Sequence, residues 1–409
     1  MDPSYMAAER TDLKTTAAFA LACGIMTASR QAFTIRLVIL VSPMASKNSP
    51  ETLPLREARR LVHDLFQPRP WLYWADFLFH VTLAWTAFTL TLWAAGHYLV
   101  QVFTYLVCVL AMYRAAIFIH ELSHLRPGTF GFFRVVWNVL CGCLLLIPSY
   151  TYSGVHNHHH QRNVYGTGED GEYLPFANRM SPWRMVGFVV LGLVLPALLV
   201  LRFVLLTPLS WVIPRVRRLL WERMSSLIID ANFRRGISER DERGWWWQEA
   251  LAFAYGSTAL ALAATGLLSW RVLGLWYLVA VSIFSINAVR TLAAHCYRNP
   301  SDRPMTISEQ FFDSVDVPGN LFLTALWAPV GLRYHATHHL FPGMPYHNLG
   351  LAYRRLVREW PQVYTRSSRR GLWDALRRIW REARASCSGP FAGVPKAQPA
   401  DMPRQRARR

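Results

Sequence analysis

Fourteen histidines occur in 409 residues, and most of them fall into three tight groups. The first, His120-Glu-Leu-Ser-His124, puts two imidazoles at i and i+4, on one face of a helix. The second and third, His156-Asn-His-His-His160 and His335-Ala-Thr-His338-His339, each contain H-x-x-H-H. That spacing places rings at i, i+3 and i+4, again on a shared face. The groups supply His120 and His124, then His156, His159 and His160, then His335, His338 and His339, with His295 as a further candidate. Neutral imidazole is a common ligand for iron, copper and zinc. One zinc needs about four ligands, so eight or nine suit two metals. A lone H-x-x-x-H arises by chance or in zinc enzymes, whereas the ordered set is far more specific.

The elements that must position these groups are apolar. The chain is 52% hydrophobic and 17% charged, against about 25% charged for soluble chains. Several runs approach the roughly 20 apolar residues that cross a bilayer. Residues 77–95 and 97–119 read as two spans joined at Gly96, with Trp71, Tyr73 and Trp74 as interfacial anchors. Residues 248–268 and 272–289 read as a second pair. The loop 214–244 carries Arg215, Arg217, Arg218, Arg223, Arg234, Arg235, Arg240 and Arg243, which the positive-inside rule places in the cytoplasm. Four crossings are expected, with six as the open alternative, and both termini and all the histidine groups fall on the cytoplasmic side. On that topology 130–148 and 183–213 enter and leave on one face as interfacial or re-entrant helices, with Pro196 and Pro208 breaking the longer one.

The chain divides into an N-terminal extension, 1–70, expected to be partly disordered, a membrane domain, 71–355, and a basic tail, 356–409. The tail after Ser367 reads as a solvated or lipid-facing extension. The net charge of +19 is nearly all arginine, a bias that tracks GC-rich genomes and a bacterial inner membrane. Its position beside apolar spans fits anionic headgroups, and nucleic acid is not an expected partner. The six cysteines lack metal-knuckle spacing and read as free thiols. His158 lies off the shared face; His63, His80, His97 and His347 read as structural. Glu121, Glu169, Asp170, Asp313 and Asp316 are candidates to orient the ligating rings, and Asn157 to position them. Arg114, inside the second span, reads as snorkelling to the interface or meeting a headgroup.

At its three histidine boxes, Ala294-His295, Glu309-Gln310 and His339-Leu-Phe-Pro342, the chain resembles the membrane fatty acid desaturase family, from about Trp71 to Arg355. The resemblance implies an all-α integral membrane fold of about four transmembrane helices with a cytoplasmic, histidine-rich helical cap. It implies a non-haem di-iron centre held by His120, His124, His156, His159, His160, His335, His338 and His339, with His295 as the extra histidine. Some relatives carry an asparagine one turn before that histidine, where this chain has Thr291, so the last ligand of one iron departs from the pattern. No HPGG-type haem segment is present. Electrons are therefore expected from a separate ferredoxin, rubredoxin or cytochrome-type donor, with O2 as co-substrate.

The chemistry implied is oxygen-dependent desaturation of an acyl chain in a membrane lipid or acyl thioester. The metal carries the hard step, since no side chain can attack an unactivated methylene. The nearest alternative shares the site: a di-iron hydroxylase or ketolase of an alkane, sterol or carotenoid. A zinc-dependent membrane hydrolase would use only three or four of the histidines, and a haem-binding protein would need paired histidines on facing spans. Order and spacing favour the desaturase.

Overall fold

The computed structural model describes residues 53–125, 130–174, 181–236, 239–299 and 301–388. The longest apolar runs become helices, which satisfy every interior backbone group within the segment. The first, α1 (Pro70–Trp93), begins on a proline, whose missing N–H costs nothing at a helix start. It turns through Gly96, at φ +93°, a conformation open to glycine, into α2 (Tyr98–His124). Buried Thr91 donates to Thr104 at 2.9 Å and Gln101 donates to the Thr91 carbonyl, closing the hairpin. From Cys108 to Ser123 α2 is almost wholly buried, so it is the central rod of the molecule.

The helices that follow are α3 (Tyr150–His159), α4 (Trp183–Val212), α5 (Glu239–Ala264), α6 (Trp270–Leu292), α7 (His335–Leu340), α8 (Tyr346–Glu359) and α9 (Leu372–Ser388). Among the described residues there is no strand. Isolated bridges pair His295 with Ser314, and Asp316 with both Tyr334 and Ser368, drawing the segments around α7 together.

Four helices among the described residues are long and apolar enough to cross a membrane: α1, α2, α4 and α6. Their outer faces expose Trp93, Leu99, Phe103, Val194 and Leu278, more apolar surface than a soluble protein tolerates. The number agrees with expectation; on length and apolarity α4 qualifies and the expected span 248–268 does not. The expected stretch 183–213 is not broken at Pro196 or Pro208; residues 183–212 form one helical run whose turns widen to a π-helix over Leu201–Leu206. A wider turn relieves the clash between the Pro208 ring and the preceding carbonyls, so the helix need not break. The expected span 248–268 lies in α5, which falls short in hydropathy. Its Gln248 and Glu249 are buried and polar because they hold other elements. Glu249 takes buried Arg202 from α4, half-buried Arg217 at 2.5 Å and the Tyr150 hydroxyl at 3.3 Å, one carboxylate answering two cations at the start of α3.

α4 meets α6 at Gly192, where an added Cβ would lie 3.3 Å from the Phe284 backbone. A small residue there lets the two backbones approach. Arg114 neither snorkels nor reaches for a headgroup. It forms a two-pronged pair with Asp76 of α1, at 2.8 and 2.6 Å, and Asp76 also accepts from Tyr346 at 2.8 Å. A cation between packed helices is held by the nearest carboxylate, and Asp76 lies too far away in sequence to be read as its partner.

The tail likewise differs from expectation over its described part. α9 is amphipathic and buries Ile379 and Ala383 beside Met185 and Leu292, while its Glu382 binds Arg298 at 2.8 and 2.6 Å. The apolar positions at helical spacing make it a packed cap element. Toward the N-terminus, the helix Leu55–Leu61 buries Ala58 in a small core with Leu349 and Leu356 of α8. Residues 1–52 and 389–409, where disorder and a free tail were expected, lie outside the described residues.

Candidate metal centre

The carboxyl end of α2, all of α3, the residues just after α6 and all of α7 converge at one end of the bundle. They bring all nine candidate histidines together in two groups. His120, His124, His156, His160 and His338 form the first; His159, His295, His335 and His339 form the second. Within each group one donor atom per residue lies within 4.8 Å of every other. Each H-x-x-H-H box is divided. The i and i+4 rings stay together, while the i+3 ring, rotated about the helix axis, crosses to the other group. α3 thus gives His156 and His160 to the first group and His159 to the second. α7 gives His335 and His339 to the second and His338 to the first.

The hydrogen-bond partners set how these rings face. His156 Nδ1 meets Glu172 Oε2 at 2.9 Å, and His159 Nδ1 meets both oxygens of Asp170, at 2.9 and 2.8 Å. An Nδ1–H donated to a carboxylate leaves Nε2 as a bare lone pair turned inward. His295 is held through a relay. Its Nδ1 lies 2.9 Å from the Tyr165 hydroxyl, which donates to Asp313 at 3.0 Å, and Tyr173 donates to the same carboxylate at 2.9 Å.

The inward nitrogens then face each other at close range. His124 and His156 approach Nε2 to Nε2 at 2.9 Å, His156 and His160 at 3.2 Å, His160 and His338 at 3.2 Å. In the second group His295 and His335 approach at 3.0 Å, and His335 and His339 at 3.2 Å. Both His120 nitrogens and His159 Nε2 are buried without a hydrogen-bond partner. Burial, and then the neighbouring imidazoles, hold His156, His160, His335, His338 and His339 well below the ordinary histidine pKa, so they stay neutral. His295 is depressed in the same direction, by burial and then by His159 and Arg290. Burial opposes charge at His159 too, but Asp170 outweighs it and raises that ring above the ordinary value. Converging neutral lone pairs repel one another unless a cation lies between them. The donor set therefore fits one metal ion per group, and all-nitrogen donors suit iron, copper, nickel or zinc.

Of the acids singled out from the sequence, Asp170 reaches a histidine directly and Asp313 does so through Tyr165. Asp316 works one step back. It accepts from Thr337 N at 3.1 Å and Thr337 Oγ1 at 2.7 Å, pinning the first turn of α7, and burial pushes its carboxyl up to about 7. Glu121 faces away, accepting from Tyr73 at 2.7 Å and Tyr346 N at 3.3 Å. Glu169 and Asn157 are exposed and hold no ring. His347 lies outside both groups, accepting from Arg69 N at 3.2 Å, and His158 is likewise outside. Two residues were missed. Glu172 sits in the same acidic loop as Asp170, and the loop carries no periodicity to say which acid turns inward. Tyr165 had no signal beyond its place just after the second box.

Beside the first group lies a cavity of about 310 Å³ walled mainly by apolar side chains of α2, α4 and α6, with His120 in its wall. Its mainly apolar lining suits an apolar group brought beside His120.

A family profile described as fatty acid desaturase matches residues 96–370. The ceramide hydroxylase of Caulobacter vibrioides (strain NA1000 / CB15N) is 40% identical over 335 residues, covering 80% of this chain and 93% of that protein. No solved structure matches the chain.

Proposed function

Because the chain belongs to the fatty acid desaturase family, a family of membrane-embedded lipid-modifying enzymes, we propose that it hydroxylates an acyl chain of a ceramide-like membrane lipid. The sequence had favoured desaturation, with hydroxylation as the alternative on the same histidines. The relative's activity on ceramide turns the choice to the alternative. The observation that carries the reading is the apolar cavity with His120 in its wall, which brings a lipid chain to a site rich in metal ligands.

Two iron ions are the proposed occupants. His120, His124, His156, His160 and His338 would hold one, and His159, His295, His335 and His339 the other. When bound, they supply the O2-derived oxidant for an unactivated C–H bond. Overall, one oxygen atom of O2 enters the new hydroxyl and the other leaves as water, with two electrons and two protons from an external donor. The chain's own part is positional. Glu172, Asp170 and Tyr165 aim the rings, Asp316 sets the turn that presents the third box, and the cavity walls exclude water.

We place the histidine end and both termini on the cytoplasmic side of a bacterial inner membrane. The support is the arginine-rich segment 214–244, whose Leu227 and Ile229 amides donate to the Thr151 and Gly171 carbonyls beside the second histidine box, together with the positive-inside rule. Such a surface would also attract an acidic ferredoxin, rubredoxin or cytochrome-type donor.

The test is a mass-spectrometric profile of host sphingolipids and acyl chains, with wild type beside His338→Ala at equal expression. A lipid heavier by one oxygen atom, lost in the variant, supports the hydroxylase. A new alkene lost in the variant would instead return the reading to desaturation.

A further inference from the structure

The cavity wall contains a cation that the metal chemistry does not use. Arg290, near the carboxyl end of α6, is only 6% exposed and lines the cavity with His120, Tyr152, Glu172, Asn287 and Thr291. Its Nη2 donates to Asn287 Oδ1 and to Thr291 Oγ1, each at 2.9 Å, and the Tyr113 and Tyr152 hydroxyls are further neutral partners, while its Nε has no hydrogen-bond partner. No carboxylate pairs with it among the described residues. Glu172, on the same wall, gives Oε2 to His156; its Oε1 makes no hydrogen bond, so it attracts Arg290 only through the field between them. Of the two other buried arginines among the described residues, one has a carboxylate and the other only carbonyl oxygens. Arg202 has Glu249, and Arg333 donates to the carbonyls of Pro318, Gly319 and Leu321.

A desolvated guanidinium whose hydrogen bonds all go to neutral side chains is costly unless a further acceptor oxygen reaches it. It is also a planar donor suited to carbonyl and carboxylate oxygens. In a cavity that is otherwise largely apolar, such a donor beside His120 specifies where one oxygen of a bound lipid should sit.

We propose that Arg290 is a specificity-determining residue that donates to the acyl carbonyl oxygen of an N-acyl lipid, presenting the carbons next to that carbonyl to the histidine centre. Asn287 and Thr291 hold the guanidinium in place. Hydroxylation is then directed close to the amide instead of far along the chain. The assignment rests on the lipid-hydroxylase reading, but it is tested by binding without turnover, so its failure is distinct from the absence of a hydroxylated product.

The test measures binding of N-methyldodecanamide, methyl dodecanoate and tetradecane to the full chain in detergent, without reductant. The proteins compared are wild type, Arg290→Met, Arg290→Lys and Thr291→Val. One charge-assisted hydrogen bond corresponds to about tenfold or more in affinity. Wild type should therefore prefer the amide to the alkane by at least that factor. Arg290→Met should lose the preference, Arg290→Lys should keep part of it, and tetradecane binding should hardly change. Should Arg290→Met not fold, the graded loss through Thr291→Val and Arg290→Lys carries the same test. An undiminished preference in the folded variants, or none in wild type, overturns the proposal. Tighter binding of the ester than of the amide would keep Arg290 as a carbonyl donor but overturn the N-acyl source.

Discussion

Asp170→Asn changes one atom in kind and tests how the second histidine group is held. The Asp170 side chain is wholly buried. Besides His159 Nδ1, it accepts from Gly166 N at 2.8 Å through Oδ2 and from Glu172 N at 2.9 Å through Oδ1. Both oxygens are therefore committed to backbone donors as well as to the ring. An asparagine retains one acceptor oxygen, and its NH2 must point at either the Gly166 or the Glu172 amide, donor against donor. Leaving a buried donor unsatisfied costs about 1–3 kcal/mol, and replacing charged by neutral hydrogen bonds costs roughly another 1 kcal/mol. The variant should lose about 2–4 kcal/mol of stability. The metal should be affected too, because a ring that loses its carboxylate partner typically costs about 10–100-fold in affinity. The assay is metal content per chain after dialysis against graded chelator, alongside thermal unfolding. Glu169→Gln, the exposed neighbour, serves as the control and should match wild type. Wild-type metal retention and wild-type Tm in Asp170→Asn would refute the reasoning, as would equal damage from Glu169→Gln.

Asp316→Ala should destabilise by about 1–3 kcal/mol, because it strips Thr337 N and Oγ1 of their acceptor; chelator titration should show weaker metal retention through the displaced turn of α7. Asp76→Ala leaves Arg114 uncompensated between α1 and α2 and should cost about 2–3 kcal/mol. Adding Arg114→Leu should recover part of that in thermal unfolding, and a double variant worse than the single one would refute the pairing. Removing metal with a chelator should lower Tm, since a ligand bound to the folded state alone stabilises it by mass action. Ferrous iron should restore the Tm, whereas recovery with zinc but not iron would count against the di-iron proposal.

The composition and the histidine spacing determined a great deal unaided. Long apolar runs with few charges admit helices and little else in a bilayer, and α1, α2 and α6 lie where the hydropathy put them. Eight of the nine candidate ligands were legible because each box is a local pattern; His295 lies in no box and was picked out by its place after the last span and by the family resemblance. A ring at i and another at i+4 share a helix face whatever the rest of the chain does. What the tertiary structure alone decided involves residues far apart in the chain. Which ring of each box belongs to which group depends on how α3 and α7 face α2. Glu172 was hidden among several loop acids, and Tyr165 lies 130 residues from the His295 it holds. Asp76 and Arg114 sit on separate helices, and the unbroken run of α4 reflects a π-turn that residue preferences alone do not encode. Arg290 reads in sequence as one more basic residue at a helix end; only the packing of α2, α4 and α6 around a cavity gives it something to bind. Local periodicity is written in neighbouring residues, whereas these contacts exist only once distant segments have been brought together.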